Sequence, residues 1–278
     1  MRTAAVTAAL AIVSLAAEAQ WDPWPTPNVP RNPDGMPDLE GPTPRTADGR
    51  PDFTGVWERM QGVNGGGAES REPGAEPPPQ PPGTPPLATF FDIGANIEGG
   101  PPFTEWARQV REERMANNMK DNPDAHCLPM GHMQFHLHPQ PRKIVQTKDL
   151  IVILYEANGG VRQIFLDGRP LPGPDALPWW YGYSVGRWEG DELVVTTTGL
   201  RDDVWLDVFG SPLTSSGKIV ERFRRPVFGR MEIDVTIEDP KAYTKPFTVR
   251  VNHQILLDSE LIEFVCQENE KSTAYFDR

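Results

Sequence analysis

Apolar and polar residues alternate one for one along much of the second half of the chain. Met231, Ile233, Val235 and Ile237 fall on one side, and Glu232, Asp234, Thr236 and Glu238 on the other. A period of two marks a strand with one dry face and one wet face. The same texture predicts strands over 143–147, 150–156, 161–167, 179–188, 192–198, 218–225, 230–238, 247–253 and 260–266, with 56–58 as an earlier one. Gly, Pro and Asp punctuate the gaps at 158–160, 167–170, 189–191 and 239–240. Short strands so punctuated predict a mainly β chain folded as an antiparallel meander. A closed or nearly closed barrel fits this pattern better than a sandwich, and small barrels often enclose one ligand.

A helical pattern is confined to 104–120, where Thr104 can cap and Trp106, Val110 and Met119 form a thin apolar stripe. Its many charges place it on the surface. Residues 20–52 read as a Pro-rich N-terminal arm. It holds a short internal repeat, Asp34-Gly-Met-Pro-Asp-Leu-Glu-Gly41 followed by Asp48-Gly-Arg-Pro-Asp-Phe-Thr-Gly55. Two copies do not make a solenoid; they read as two similar turns leading onto the domain. Residues 61–88 are a low-complexity excursion, too poor in apolar residues to offset the entropy of ordering. The organisation expected is a signal peptide over 1–19, the arm, one barrel domain over 53–270 containing the excursion and the helix, and a tail over 271–278.

The first residues read as an address. Arg2 is followed by an Ala-, Val-, Leu- and Ile-rich run, and Ala17-Glu18-Ala19 fits a small-x-small cleavage site before Gln20. The run is too short to span a bilayer. A periplasmic or secreted chain is therefore expected, with no membrane span. The 278 residues carry a formal net charge of −12, which argues against a nucleic-acid partner. Pro at 31 residues excludes a helical bundle. Cys127 and Cys266 are the only cysteines. An even count in an oxidising compartment favours one disulfide between them.

Several strings occur in order: Asp48-Gly-Arg-Pro-Asp-Phe-Thr-Gly-Val-Trp57, Cys127-Leu-Pro-Met-Gly131, Arg162-Gln-Ile-Phe-Leu-Asp-Gly-Arg-Pro-Leu-Pro172, Gly182-Tyr-Ser-Val-Gly-Arg-Trp-Glu-Gly-Asp191, Glu221-Arg-Phe-Arg-Arg225, Asp239-Pro-Lys-Ala-Tyr-Thr-Lys-Pro246 and Val265-Cys-Gln-Glu-Asn269. Together, over about residues 48–270, they resemble a large family of uncharacterised exported bacterial proteins. That resemblance implies export and a β-rich domain and carries no established activity. The Gly55-x-Trp57 start also resembles the first strand of lipocalin-type barrels. Two positions depart from the family pattern. Leu213-Thr214-Ser215 stands where His-Ser-Glu is expected, and Met133-Gln134 stands where Pro-Arg is expected.

Four of the five histidines lie between His126 and His138. Read as a strand, His136-Leu137-His138 would aim two imidazoles at one face. With His132, His126, His253 or a carboxylate across the sheet as third ligand they would make a candidate site for zinc or a similar divalent ion, His132 being the first choice. The competing readings are a metal-free acid or base and a solvated turn. Trp180, Tyr183, Tyr155, Arg162 and Trp205 are the candidate substrate-binding residues, because large rings on barrel strands wall cavities well. Glu221 alternates with Ile219 and Phe223, so an inward face would bury it, with Arg162 or Arg222 as partner. Asp203, with Asp202 and Asp207, flanks Trp205 and can act as a carboxylate or as a turn former. The candidate catalytic set is therefore His132, His136, His138, Glu221 and Asp203.

No glycine-rich phosphate loop is present, so no organic cofactor is expected. The function expected is an exported enzyme acting on a small apolar or aromatic molecule in a barrel cavity. Lyase, isomerase and hydrolase chemistry stay open. The alternative is a periplasmic carrier of a hydrophobic molecule.

Overall fold

Nine strands close into one barrel in the computed structural model, which describes residues 25–60, 82–173, 175–266 and 268. The signal-peptide reading, most of the low-complexity excursion and the tail lie outside the described residues. Among the described residues no helix is long and apolar enough to cross a membrane.

The strands run β1 (Gly55–Arg59), β2 (Arg142–Gln146), β3 (Leu150–Tyr155), β4 (Val161–Phe165), β5 (Tyr183–Glu189), β6 (Glu192–Thr198), β7 (Lys218–Val227), β8 (Arg230–Glu238) and β9 (Phe247–Ile255). They neighbour one another in sequence order, and β9 closes on β1. Alternation places the β8 side chains Met231, Ile233, Val235 and Ile237 in the core. Their polar neighbours form an outer lattice in which Arg250 pairs with Asp234 at 2.6 Å and Arg224 with Glu192 at 2.7 Å. These ion pairs are partly exposed and each is worth little, about 0–1 kcal/mol. Their value lies in register, since a one-residue slip would turn every one of them inward.

The expectation of a purely antiparallel meander needs one correction. β4 and β5 are parallel, pairing Ile164 with Ser184 and Phe165 with Val185. A ring whose neighbours all alternate in direction needs an even number of strands. Nine strands therefore require a parallel pair. The connection over 166–182 supplies it, since parallel neighbours need a long return. A second correction concerns 260–266, which forms no strand. Ile262 and Val265 are 72% and 55% exposed. The Cys127–Cys266 disulfide is present, and it ties an extended C-terminal segment, not a last strand, to the loop after a 3₁₀ turn at Pro123–His126.

Helix α1 (Glu105–Ala116) begins where the sequence predicts and ends earlier. Thr104 Oγ1 accepts from the Ala107 amide at 3.2 Å and donates to the Lys241 carbonyl at 2.9 Å. Asn118 and Met119 both take positive φ, near 54°, which stops the helix. Only Ala107 is buried, and Trp106 lies 39% exposed under Lys241. Losing the cap in Thr104→Ala is expected to lower stability by about 1 kcal/mol in chemical denaturation.

The largest correction falls on the histidine segment. It is a helix, α2 (His132–Leu137), with His138 as its C-cap. The residues His-Met-Gln-Phe-His-Leu contain no β-branched side chain, and Met, Gln and Leu favour helix. Pro139 cannot continue it. Gly131 begins it at φ 85°, where a Cβ would stand 2.4 Å from Val204 Cγ1. Every residue from Gly131 to His138 is buried. His136 lies within 6.4 Å, ring to ring, of Tyr155 on β3, Phe223 on β7 and His253 on β9. A side chain that meets three separated strands stands inside the barrel, so α2 fills part of the interior.

Candidate functional site: a polar interior beside an open cleft

A helix places residues i and i+4 on one face. His132 and His136 accordingly point together at Glu221, while His138 points away. Glu221 lies on β7 between Ile219 and Phe223, and all three face inward. Its carboxylate is held from two sides. Arg162 on β4 donates Nη1 to Oε1 at 2.9 Å and Nη2 to Oε2, a bidentate grip. His136 Nε2 stands 2.7 Å from Oε1, and His132 Nε2 3.7 Å from Oε2. Arg162 also donates to Ser184 Oγ at 3.1 Å and to Thr197 Oγ1 at 3.1 Å. The partner is thus Arg162; Arg222 lies on the outer face with Glu189 and Glu192.

Electrostatics follow from this packing. Burial pushes the Glu221 carboxyl up, but Arg162 and the imidazoles outweigh it and hold the pKa well below the usual carboxylate range. Glu221 is therefore a fixed anion. Burial lowers His136, and it lowers His132 and His253 well below the usual imidazole value, with nearby arginines adding to the effect. Burial also takes His138 down to about 4 and Tyr155 up to about 12.

Tautomers follow from the partners. The Glu221 anion accepts, so His136 donates through Nε2–H and keeps a lone pair on Nδ1. The Tyr181 carbonyl accepts at 3.2 Å from His132 Nδ1, so His132 keeps its lone pair on Nε2. His253 Nε2 lies between Arg142 Nη1 at 2.6 Å and the His136 carbonyl at 2.9 Å, a donor and an acceptor, so either tautomer finds a partner there. His132 Nε2, His136 Nδ1 and His253 Nδ1 have no hydrogen-bond partner.

Arg142 was not singled out by the sequence reading. It is buried on β2 and donates to the carbonyls of His136, His138 and Gln140 at 2.8–2.9 Å. It thus satisfies the C-terminal carbonyls of α2, which have no water to turn to. Burial lowers its own pKa to about 10. The signal was present: Arg142 shares its strand face with Ile144, as Arg162 does with Ile164. His253, named only as a possible third metal ligand, also belongs to this interior.

The metal grouping fares differently from its strand premise. His138 is turned from His132 and His136, and its ring packs on Phe90 at 5.0 Å. The face that His132 and His136 share is taken by a carboxylate already gripped by Arg162. Among the described residues no group of three or more His, Cys, Asp or Glu is arranged to hold a metal ion. These side chains do not fit a divalent ion, whose charge would meet the Arg162 guanidinium. The fourth neighbouring histidine, His126, is exposed against the Lys120 carbonyl at 2.7 Å.

No protein-family model matches this chain, and a search of curated proteins found no match.

The other candidates gather outside the barrel. Trp180, Trp205 and Asp203 line a cleft of about 600 Å³ with Arg114, Arg201 and Leu128. α1 forms one wall. Arg201 covers the Trp180 ring at 4.6 Å and pairs with Asp203 at 2.6 Å; Arg114 covers the Trp205 ring at 4.3 Å. Asp207, by contrast, is buried and accepts from the Ile93 and Ser211 amides, so it builds the turn. Tyr183 stands apart from the cleft, stacked on Phe165 at 5.1 Å and bonded to Arg169. Tyr155 and Arg162 belong to the interior.

Cleft and interior share a wall. Gln134 on α2 donates to the Trp205 carbonyl at 3.2 Å, and Gly131 packs under Val204 and the Trp180 carbonyl. The Tyr181 carbonyl that holds His132 directly follows Trp180. The backbone at 180–181 and the first turn of α2 therefore separate the open cleft from the imidazoles.

Proposed function

We propose that the protein is an exported enzyme that acts on a small apolar or aromatic molecule by imidazole acid/base chemistry, without an organic cofactor. One observation carries this reading: His132 Nε2, His136 Nδ1 and His253 Nδ1 inside the barrel lack hydrogen-bond partners, as does Nδ1 of His138, which packs on Phe90. Native interiors hold few such atoms, and each calls for a reason. The nitrogens of His132 and His136 are acceptors, and a bound molecule that donates to both would satisfy them.

His136 is built as a base. Glu221 orients its ring and stabilises the imidazolium formed when Nδ1 takes a proton, as a carboxylate does for the histidine of a catalytic triad. Its lowered pKa keeps the ring neutral at neutral pH, which a base requires. Proton removal from carbon, followed by elimination or isomerisation, fits this arrangement. So does activation of water for hydrolysis. The cleft walled by Trp180 and Trp205 is the approach, and the 180–181 segment must shift to admit the substrate to His132. The cleavage-site pattern and the disulfide support a periplasmic or secreted location. A carrier is the second reading. It is favoured by the closure of the interior, where His132, His136, Arg162 and Glu221 are each no more than 1% exposed.

The test uses the mature chain and a set of small aromatic esters, lactones and alkenols, with products followed by mass spectrometry. We expect turnover of at least one probe, and His136→Gln to lower kcat by about 10²–10⁴-fold, the range for a general base. Trp fluorescence on titration should show that the variant still binds. Undiminished turnover in His136→Gln would reject the mechanism. A probe retained tightly and returned unchanged would favour the carrier.

A further inference from the structure

The internal repeat of the N-terminal arm is a repeat of structure as well as of sequence. In the first copy Arg31 bridges Pro37; in the second Arg45 bridges Pro51. The Asn32 amide donates to the Met36 carbonyl at 2.8 Å, and the Thr46 amide to the Arg50 carbonyl at 2.9 Å. Asp38 reaches back to Pro30 at 2.8 Å, and Asp52 to Pro44 at 2.9 Å. In each copy the arginine donates Nη1 to the turn glycine's carbonyl, Arg31 to Gly35 at 2.7 Å and Arg45 to Gly49 at 2.8 Å. Gly35 and Gly49 have φ of 84° and 83°. Two matched, pre-shaped turns stand 14 positions apart in sequence.

The second turn is occupied. It receives the β5–β6 hairpin tip, Glu189-Gly190-Asp191. Arg45 grips Asp191 with two bonds of 2.9 and 2.6 Å. Arg50 donates to the Gly190 carbonyl at 3.0 Å and lies over the Trp188 ring at 5.7 Å. The first turn holds the same backbone and the same arginine, and among the described residues no hairpin tip lies against them. Arg31 makes no ion pair among the described residues. Met36, which occupies the position of Arg50, is 62% exposed. The copy is firmly mounted: Gly229 donates to the Leu39 carbonyl at 2.7 Å, Phe228 to Gly41 at 2.8 Å, and Thr26 bonds Asp258 through both backbone and side chain. A fixed turn that presents a spare arginine and a bare methionine has the features of a docking site.

We propose that the first turn, residues 31–41, binds a partner protein through an acidic glycine hairpin tip of the Glu-Gly-Asp type. Arg31 takes the carboxylate that follows the glycine, as Arg45 takes Asp191. Met36 covers an apolar side chain preceding the tip, as Arg50 covers Trp188. The neutral, adaptable thioether in place of a guanidinium shifts that contact toward purely apolar neighbours. The inference is independent of the enzyme reading, since it uses no residue of the interior or the cleft.

The probe is a cyclised hairpin peptide of residues 183–198, added to the intact mature chain and followed by NMR. Saturable shifts are expected at the amides of Arg31, Gly35 and Met36. Arg31→Ala should weaken binding by about fivefold, the upper range for an exposed ion pair. A peptide with Asn in place of Asp191 should lose a similar factor. Both changes are on the surface, so circular dichroism should show an unchanged fold. Three results overturn the proposal: no saturable shift up to about 1 mM peptide, equal affinity in Arg31→Ala, or shifts confined to Arg45 and Arg50, which would mean exchange with the protein's own hairpin.

Discussion

Glu221→Ala will destabilise the barrel by about 3–5 kcal/mol, the cost of breaking a buried ion pair from one side. The reason is the partner left behind. Arg162 is 1% exposed and keeps its charge, so without Glu221 it becomes an uncompensated buried cation. Ser184 and Thr197 remain as neutral acceptors and cannot replace an anion. His136 Nε2–H loses its acceptor at the same time. The Arg162→Met/Glu221→Leu double variant removes both charges and should recover much of the loss, because a desolvated pair adds little net stability over apolar packing. Chemical denaturation of the parent, the single and the double variant measures this. A Glu221→Ala loss below about 1 kcal/mol would contradict the closed interior.

Acidification is expected to destabilise the fold well above the carboxylate range. Burial holds His138 at about 4 and lowers His132, His136 and His253. In the unfolded chain these imidazoles titrate near about 6.5. Between these values the unfolded chain binds protons that the native chain refuses, so stability rises with pH across the window. It is fully present above about 6.5 and is lost as pH falls. His138 alone, at 8% exposure, contributes on the order of 3 kcal/mol over that span. Below it Glu221 adds in the same direction: its depressed pKa makes its contribution present above the ordinary Glu value and lost as the carboxylate is protonated. Denaturation midpoints at pH 8, 6.5 and 5, run at constant salt, read the effect. Equal midpoints at pH 8 and pH 5 would mean that the imidazoles are not held neutral.

Much of this architecture can be read from local pattern. The alternation in β8 separates a dry face from a wet one without any structure. The flanking of Glu221 by Ile219 and Phe223 puts the three on one face, and only the structure shows that this face is inward and that Arg162, not Arg222, is the partner. The pairing of Cys127 with Cys266 needs only their number and an oxidising compartment. The histidine segment shows how a local pattern is misread. His136-Leu137-His138 suggests a shared face only if the backbone is extended. In a helix the shared face belongs to His132 and His136, and a proposed metal pair becomes a pair of imidazoles on one carboxylate. The absence of β-branched residues there pointed to helix.

Sequence alone determined most of the strands, the alternation of dry and wet faces along β8 and the capped start of the surface helix. These depend on the nearest few residues, whose periodicity decides which atoms leave water. Tertiary structure alone decided that β4 and β5 run parallel, that α2 enters the barrel, that Arg142 and His253 complete its polar interior, and that Trp180, Asp203 and Trp205 meet in an outer cleft. Those outcomes depend on how nine strands close into a ring and on what fills the space enclosed. Closure joins residues far apart in the chain, and no local period records which of them will meet.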